Sequence, residues 1–355
     1  MGATKRVLVC LSGGVDSAIA ALLLQKEGFD VAGITFWLWS FPGAPDWKGE
    51  NKCCSLAQAA LTARELGIPH QTIDISNQFY HLIIKDFIAR YRIGETPNPC
   101  GRCNRHLRFA AALHYAKEGG FDFVATGHHV RLVNEKGQVK LYKGVDRRKD
   151  QTYFLYGLRQ PDLHRLLFPV GELTKQEVFT LADKYGLSAA VLPESQDLCF
   201  AFEGDYTFLF SDADLQPGKI IDQQGKVLGR HTGLPRYTIG QRRGLGITAD
   251  RPLYVVKINA AANQLIVGEE SELYTKQLHA VGANFLSSEP IADGTYLHAR
   301  IRYRTPAVPA RFNRIAADQF TLLFDRPQRA IAPGQLVALY QGDSLLGGGT
   351  ISTTT

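Results

Sequence analysis

Apolar positions along the chain follow two rhythms. Near the start, RVLVCL is an unbroken apolar run ending in SGG, the pattern of a strand buried on both faces. DSAIAALLLQKEG follows at helical spacing and stops on glycine. DVAGITFWLW predicts the next strand, and SLAQAALTARELG a helix capped by Ser55 and closed by Gly67. HQTIDI reads as a strand and NQFYHLIIKDFIARY as a helix. After a proline-rich loop, NRHLRFAAALHYAKEGG predicts a further helix and FDFVATGHH a further strand. This alternation predicts an α/β fold, an open and mostly parallel sheet with helices on both faces.

The second rhythm begins past about residue 205. PGKIIDQQGKVLGRHTGLPRYTIGQRRGLGI is rich in glycine and poor in helix signals. From about residue 280, short β-like runs dominate (TYLHARIRYR, ARFNRI, FTLLF, QLVALY), separated by turn residues. They predict a small antiparallel barrel or sandwich. The expected division is 1–205, 206–278 as a central linking domain, and 279–355 as a C-terminal β-barrel. No repeat or low-complexity tract interrupts it.

Composition narrows the class. The 355 residues are 45% hydrophobic and 21% charged, an ordinary globular balance. No apolar run approaches the roughly 18–20 residues of a membrane span. The start, MGATKRVLVCLSGG, lacks a signal-peptide cleavage pattern, and Arg6 stands where myristoylation expects Ser or Thr. A cytoplasmic protein is expected. Its six cysteines, Cys10, Cys53, Cys54, Cys100, Cys103 and Cys199, are then no disulfide framework, and clustered ones point to metal or catalysis. The net charge of +6 is mild, but basic residues gather at 90–108, 140–149, 230–243 and 300–314. They form either solvated faces or a surface for a polyanion such as nucleic acid.

SGGVDS (Ser12, Gly13, Gly14, Val15, Asp16, Ser17) lies between a predicted strand and a predicted helix. Backbone N–H groups and a helix N-terminus placed there suit a phosphate, and glycine allows close approach. It is not a Walker A loop, having no G-x-x-x-x-G-K-[ST] pattern and no lysine for a terminal phosphate. Asp16 would repel phosphate, so its expected job is to orient the loop or hold Mg2+. The plain alternative is a tight turn with a helix cap.

TPNPCGRCNRHLRF raises a different chemistry. Cys100 and Cys103 read as lying in a Pro/Gly loop, as a metal clip, a redox pair or a catalytic pair. A thioredoxin-like motif would open a helix directly after a strand. A structural zinc site wants four ligands. Cys100, Cys103 and Cys199 supply three, and His106, His128 or His129 could supply the fourth. Arg102 and Arg105 would favour thiolates, the nucleophilic form. Cys10 reads as core, and Cys53 and Cys54 as small residues at a helix start. His128 is the preferred site candidate of the ATGHH pair. Trp37, Trp39 and Trp47 read as anchors of core or loop.

With these residues in view, SGGVDS resembles the PP-loop of the ATP pyrophosphatases, which cleave ATP between its α and β phosphates. Within that superfamily, TPNPCGRCN, ATGHH, KDQTYFLYGL, LFPVGELTKQEV, LCFAFEGDYTFL, the long 217–246 block and ARIRYR together resemble the tRNA-specific 2-thiouridylases. The resemblance runs over essentially the whole chain. It implies ATP-dependent 2-thiolation of the wobble uridine in the tRNAs for Lys, Glu and Gln. Ser12, Gly13, Gly14, Val15, Asp16 and Ser17 would hold the ATP phosphates with Mg2+, Phe36 would meet adenine through its main chain, and Gly127 would lie against the nucleotide. Asn98, Pro99 and Cys100 would face the target base. Lys149, Asp150, Gln151, Arg302 and Tyr303 would touch tRNA. Cys103 and Cys199 match the two cysteines of sulfur transfer, fed by a cysteine desulfurase or relay protein.

One departure carries weight. Many relatives have Asp where this chain has Cys100 and pass a persulfide between the other two cysteines. This chain resembles instead the subgroup with three site cysteines, associated with an oxygen-labile [4Fe–4S] cluster on Cys100, Cys103 and Cys199. A metal-free persulfide route and zinc stand as alternatives. Rival functions are another PP-loop tRNA thiolase or adenylating ligase, and a non-catalytic ATP-dependent RNA-binding protein.

Overall fold

The first apolar run forms the middle of a sheet. Arg6–Cys10 (β1) pairs in parallel with Asp30–Trp37 (β2) on one side and Phe123–Thr126 (β4) on the other. His70–Asp74 (β3) extends the sheet beyond β2, and the short strand Leu166–Leu167 extends it beyond β4. All five run parallel. The computed structural model describes residues 4–39, 55–191, 198–201, 204–287 and 289–354. Cys53, Cys54 and Trp47 lie outside them. No helix among the described residues is long and apolar enough to cross a membrane.

β1 stands where the strand order reverses direction. The crevice beyond its carboxyl end is the place where open α/β sheets take ligands. The helix that leaves it, Val15–Lys26 (α1), is buried on nearly every side. Ala21 and Leu24 pack with Val7, Val9 and Leu11 of the sheet. Ala18, Ile19 and Leu22 pack with Val178 and Ala182 of the helix Lys175–Lys184. Small side chains let three layers close up, and each fully buried large aliphatic contributes about 1.5–3 kcal/mol. Leu56–Glu65 (α2) begins as expected, with Ser55 accepting from the Gln58 N–H.

Two helices differ from the periodicity reading. The 76–92 segment contains a π turn, Tyr80–Ile84, between α-helical pieces Ser76–Phe79 and Lys85–Arg92. The helix expected to begin at Asn104 begins at Pro99, and a π turn Asn104–Arg108 precedes its regular part, Phe109–Glu118. Proline suits the first helical position because its missing N–H would have had no partner there.

The chain divides into two units. The first comprises Met1–Ile83, Cys100–Asp205 and Asp343–Leu345; the second comprises Ile84–Pro99, Tyr206–Gly342 and Leu346–Thr355. In the second, the glycine-rich region folds as a four-stranded sheet in the order Tyr254–Asn259, Gln264–Gly268, Gly218–Ile221, Val227–His231. Beyond it, six strands close into an antiparallel barrel, with Tyr274–Phe285 pairing both Gln319–Arg329 and Ser344–Thr354. Alternate residues point inward, and Leu297, Ala299, Phe312, Phe320 and Leu339 fill the interior. The β-like runs therefore make a barrel rather than a sandwich.

Candidate active site

The glycine loop connects β1 to α1 at the carboxyl edge of the sheet. Its shape is fixed from within. Ser17 Oγ donates to the Gly14 carbonyl at 2.8 Å and accepts from the Ser12 N–H at 3.1 Å. Ser12 Oγ accepts from the Gly14 N–H at 3.3 Å. Gly13 has φ +83°, and a Cβ there would stand 2.8 Å from the Ser55 carbonyl oxygen. Gly14 is exposed at the N-cap of α1, with no side-chain cap over the first turn. A helix start left open in this way, preceded by bare backbone, matches an anion.

Gly127, which follows β4, lies hard against the same loop. A Cβ at Gly127 would fall 2.6 Å from both Asp16 C and Ser17 N. No side chain fits there without displacing the backbone. Phe36 is buried with its ring 6.2 Å from Tyr115, two residues past the last β1–β2 pair, Cys10↔Ile34. Its side chain is thus taken up by the interior. Trp39 is buried and stacks on Tyr80 at 6.2 Å, the anchoring role expected of it.

Asp16 has two partners that sequence reasoning missed. Lys175 Nζ donates to both carboxylate oxygens, at 2.7 and 2.8 Å, and His129 Nε2 lies 3.0 Å from Oδ1. Burial alone would push the Asp16 pKa up. The hydrogen bonds from His129 and Lys175 outweigh it and hold the carboxyl below the ordinary carboxylate value. His129 thus meets the loop through Asp16, while His128, the preferred candidate, bonds Thr126 Oγ1 through Nδ1 at 2.7 Å. Lys175 opens a helix capped by Thr174, in a capping box with Glu177. The only hint in the sequence was a cap signal with a lysine directly after it, in LTKQEV.

The turn that carries Lys149, Asp150 and Gln151 touches both partners of Asp16. Gln151 Oε1 accepts from the His129 N–H at 2.9 Å, and Asp146 Oδ2 accepts from the Lys175 N–H at 3.2 Å. Lys149 is half-buried. Asp150 is buried and accepts from Thr152 N–H and Oγ1. Arg302 donates to the carbonyls of Ile239 and Ala330, at 3.1 and 2.5 Å. Tyr303 is half-buried, and the Arg300 guanidinium lies 5.2 Å from its ring centroid. Asn98 is half-buried and Pro99 buried, directly before the cysteine helix.

The cysteines are arranged differently from the expectation of a loop. Cys100 and Cys103 stand in the first turn of the Pro99–Cys103 helix, where positions three apart share a face. Cys100 is exposed, Cys103 buried and Cys199 half-buried. Arg102 donates to the Leu82 carbonyl at 2.8 Å, and the Arg105 guanidinium lies 5.8 Å from the Tyr156 ring. Among the described residues, no three His, Cys, Asp or Glu side chains converge on a point where a metal ion could sit. Three thiols are the donor type that such a cluster takes. Cys10 is apart from this chemistry; burial pushes its thiol up to about 12.

Comparison with known proteins accounts for nearly the whole chain. Residues 5–203 match the tRNA methyl transferase HUP domain, 206–269 the tRNA methyl transferase PRC-barrel domain, and 275–351 the aminomethyltransferase beta-barrel domain. The chain is similar to the tRNA-specific 2-thiouridylase MnmA of Carboxydothermus hydrogenoformans, at 44% identity over 98% of this chain and 97% of that one. The corresponding protein of Moorella thermoacetica is also 44% identical, over 98% of this chain and 99% of its own. That of Symbiobacterium thermophilum is 44% identical, over 98% and 92%.

Proposed function

The chain belongs to the tRNA-specific 2-thiouridylase family, and from that premise we propose that it exchanges O2 of the wobble uridine in the tRNAs for Lys, Glu and Gln for sulfur, using ATP. It is a tRNA sulfurtransferase. The observation that carries the reading is the glycine loop at the sheet's switch point, shaped by Ser17 and pressed by Gly127, in a chain that matches the family from end to end.

The chemistry follows from the leaving group. An amide oxygen departs poorly. Uridine O2 attacks the α-phosphorus of ATP, the bond to the β-phosphate oxygen breaks, and pyrophosphate leaves. A sulfur nucleophile then attacks C2, and the C2–O2 bond breaks with AMP as the leaving group. Ser12, Gly13, Gly14, Val15 and Ser17 would hold the phosphates of MgATP; Asp16, with both oxygens held by Lys175, would orient the loop; and Phe36 and Gly127 would bound the nucleotide. Lys149, Gln151, Arg302 and Tyr303 are proposed on the tRNA side, and Asn98 and Pro99 beside the target base. Asp150 and Arg302 would act there by shaping their turns, since both side chains bond within the protein.

For the sulfur step we propose Cys100, Cys103 and Cys199, supplied by a cysteine desulfurase or relay protein. The finer proposal is that these three thiols hold a [4Fe–4S] cluster with one iron open to sulfide. Soft thiolates favour it. No step is routed through a cluster here, and iron content after anaerobic purification decides the point. Nucleoside mass analysis tests the function itself. Protein, ATP and a sulfide source should convert wobble uridine to 2-thiouridine in these tRNAs. Sulfur at another position, or none, would refute the assignment.

A further inference from the structure

A carboxylate in a triphosphate-binding loop works against its own ligand. The Asp16 side chain is 31% exposed and sits at the start of α1, where a nucleotide's phosphates would meet the loop. The structure answers this charge with a specific cation. Lys175 Nζ donates to Oδ1 and Oδ2 together, and the lysine side chain is only 10% exposed.

The position of that lysine is costly by every local rule. It occupies the first position of its helix, at the positive end of the helix dipole, where a cation is disfavoured. It is buried, which penalises an ammonium without a counter-charge. Two features hold it in place. Asp146 Oδ2 accepts its backbone N–H at 3.2 Å, and the Phe179 ring lies 5.0 Å from its ammonium. His129, itself buried, completes the enclosure of Asp16 from the β4 side, 3.0 Å from Oδ1. Nothing about the stability of the helix asks for a lysine here. The acid opposite does.

We propose that Lys175 is a positioning residue of the nucleotide site: its ammonium neutralises Asp16 and fixes both carboxylate oxygens, so that the loop receives a triphosphate without net repulsion. Lys175 acts through Asp16 and not by touching phosphate. The inference rests on reading Ser12–Ser17 as the phosphate loop.

The test is a double-mutant cycle read by MgATP affinity in calorimetry, without tRNA. The proteins are the native chain, Lys175→Met, Asp16→Asn, and the double variant. Lys175→Met alone should weaken MgATP binding by about 10- to 100-fold, because it leaves an uncompensated carboxylate beside the phosphates. In the Asp16→Asn background the same lysine change should alter affinity by less than about threefold, since no charge remains to neutralise. If Lys175→Met does not fold, Lys175→Gln takes its place in the cycle, with the same outcomes expected. An equal loss in both backgrounds would mean that Lys175 contacts phosphate directly, and would overturn the proposal. An unchanged affinity in Lys175→Met would overturn it too, reducing the pair to a structural tie. Failure of the native protein to bind MgATP would overturn the phosphate-loop reading beneath it.

Discussion

The nucleotide loop and the cysteine helix belong to the same unit, and they are built on opposite plans. Around Asp16, every constraint is already in place: hydrogen bonds from His129 and Lys175, a loop closed by Ser17, and Gly127 in backbone contact. Around the cysteines, two thiols share a helix turn, one exposed and one buried, and a third comes from a distant segment. The difference suits the order of the chemistry. ATP must be held before the reaction starts, and preorganised dipoles cost no rearrangement at that moment. Sulfur must be received, carried and released, and a closed site would hinder each step.

The sharpest way to break this comparison is to remove the thiols. Cys103→Ser or Cys199→Ser should abolish thiolation of tRNA while MgATP affinity stays within about twofold, because the partners of Asp16 and Ser17 described above include no cysteine. A parallel loss of nucleotide binding in calorimetry would show that they are one site. Next in size is Gly127→Ala. A Cβ 2.6 Å from Asp16 C and Ser17 N must push the loop. The expected cost is about 1–3 kcal/mol of stability in denaturant melts. Weaker MgATP binding should accompany it, with the alkylation rate of Cys100 unchanged. A neutral Gly127→Ala would mean that the loop is not held tightly.

A smaller effect separates the thiols themselves. Exposed Cys100 should alkylate at least about tenfold faster than buried Cys103, since reactivity follows access as well as thiolate content. Mass mapping after brief iodoacetamide treatment reads this out, and equal rates would contradict the helix-turn placement. Smallest is Thr174→Ala, which removes the cap of the helix that delivers Lys175. It should cost about 1 kcal/mol. A slight rise in the Kd for MgATP should follow, and none at all would detach the cap from the site.

Much of the fold was legible because its signals are local. An unbroken apolar run ending in glycine gave β1 at the centre of the parallel sheet, and alternating runs with turn residues gave the barrel. What escaped depends on the third dimension. Lys175 reads in sequence as an ordinary surface lysine after a threonine cap; only the stacking of its helix on α1 delivers it to Asp16. His128 and His129 are adjacent, and no pattern says which turns toward the loop. Asp150 and Arg302 stand in basic stretches, and no sequence pattern shows that one accepts from Thr152 and the other donates to Ile239 and Ala330. Pro99 looked like part of a loop and proved to be a helix start, which moved Cys100 and Cys103 onto one face.

In the proposed reaction, ATP is spent on the uridine oxygen before sulfur arrives. The direct measurement uses tRNA carrying heavy oxygen at O2 of the wobble uridine, with ATP, a sulfide source and the purified protein. The account requires AMP and pyrophosphate as products, with the heavy oxygen recovered in AMP in step with the 2-thiouridine formed. ADP and phosphate as products, or AMP free of the label, would contradict it.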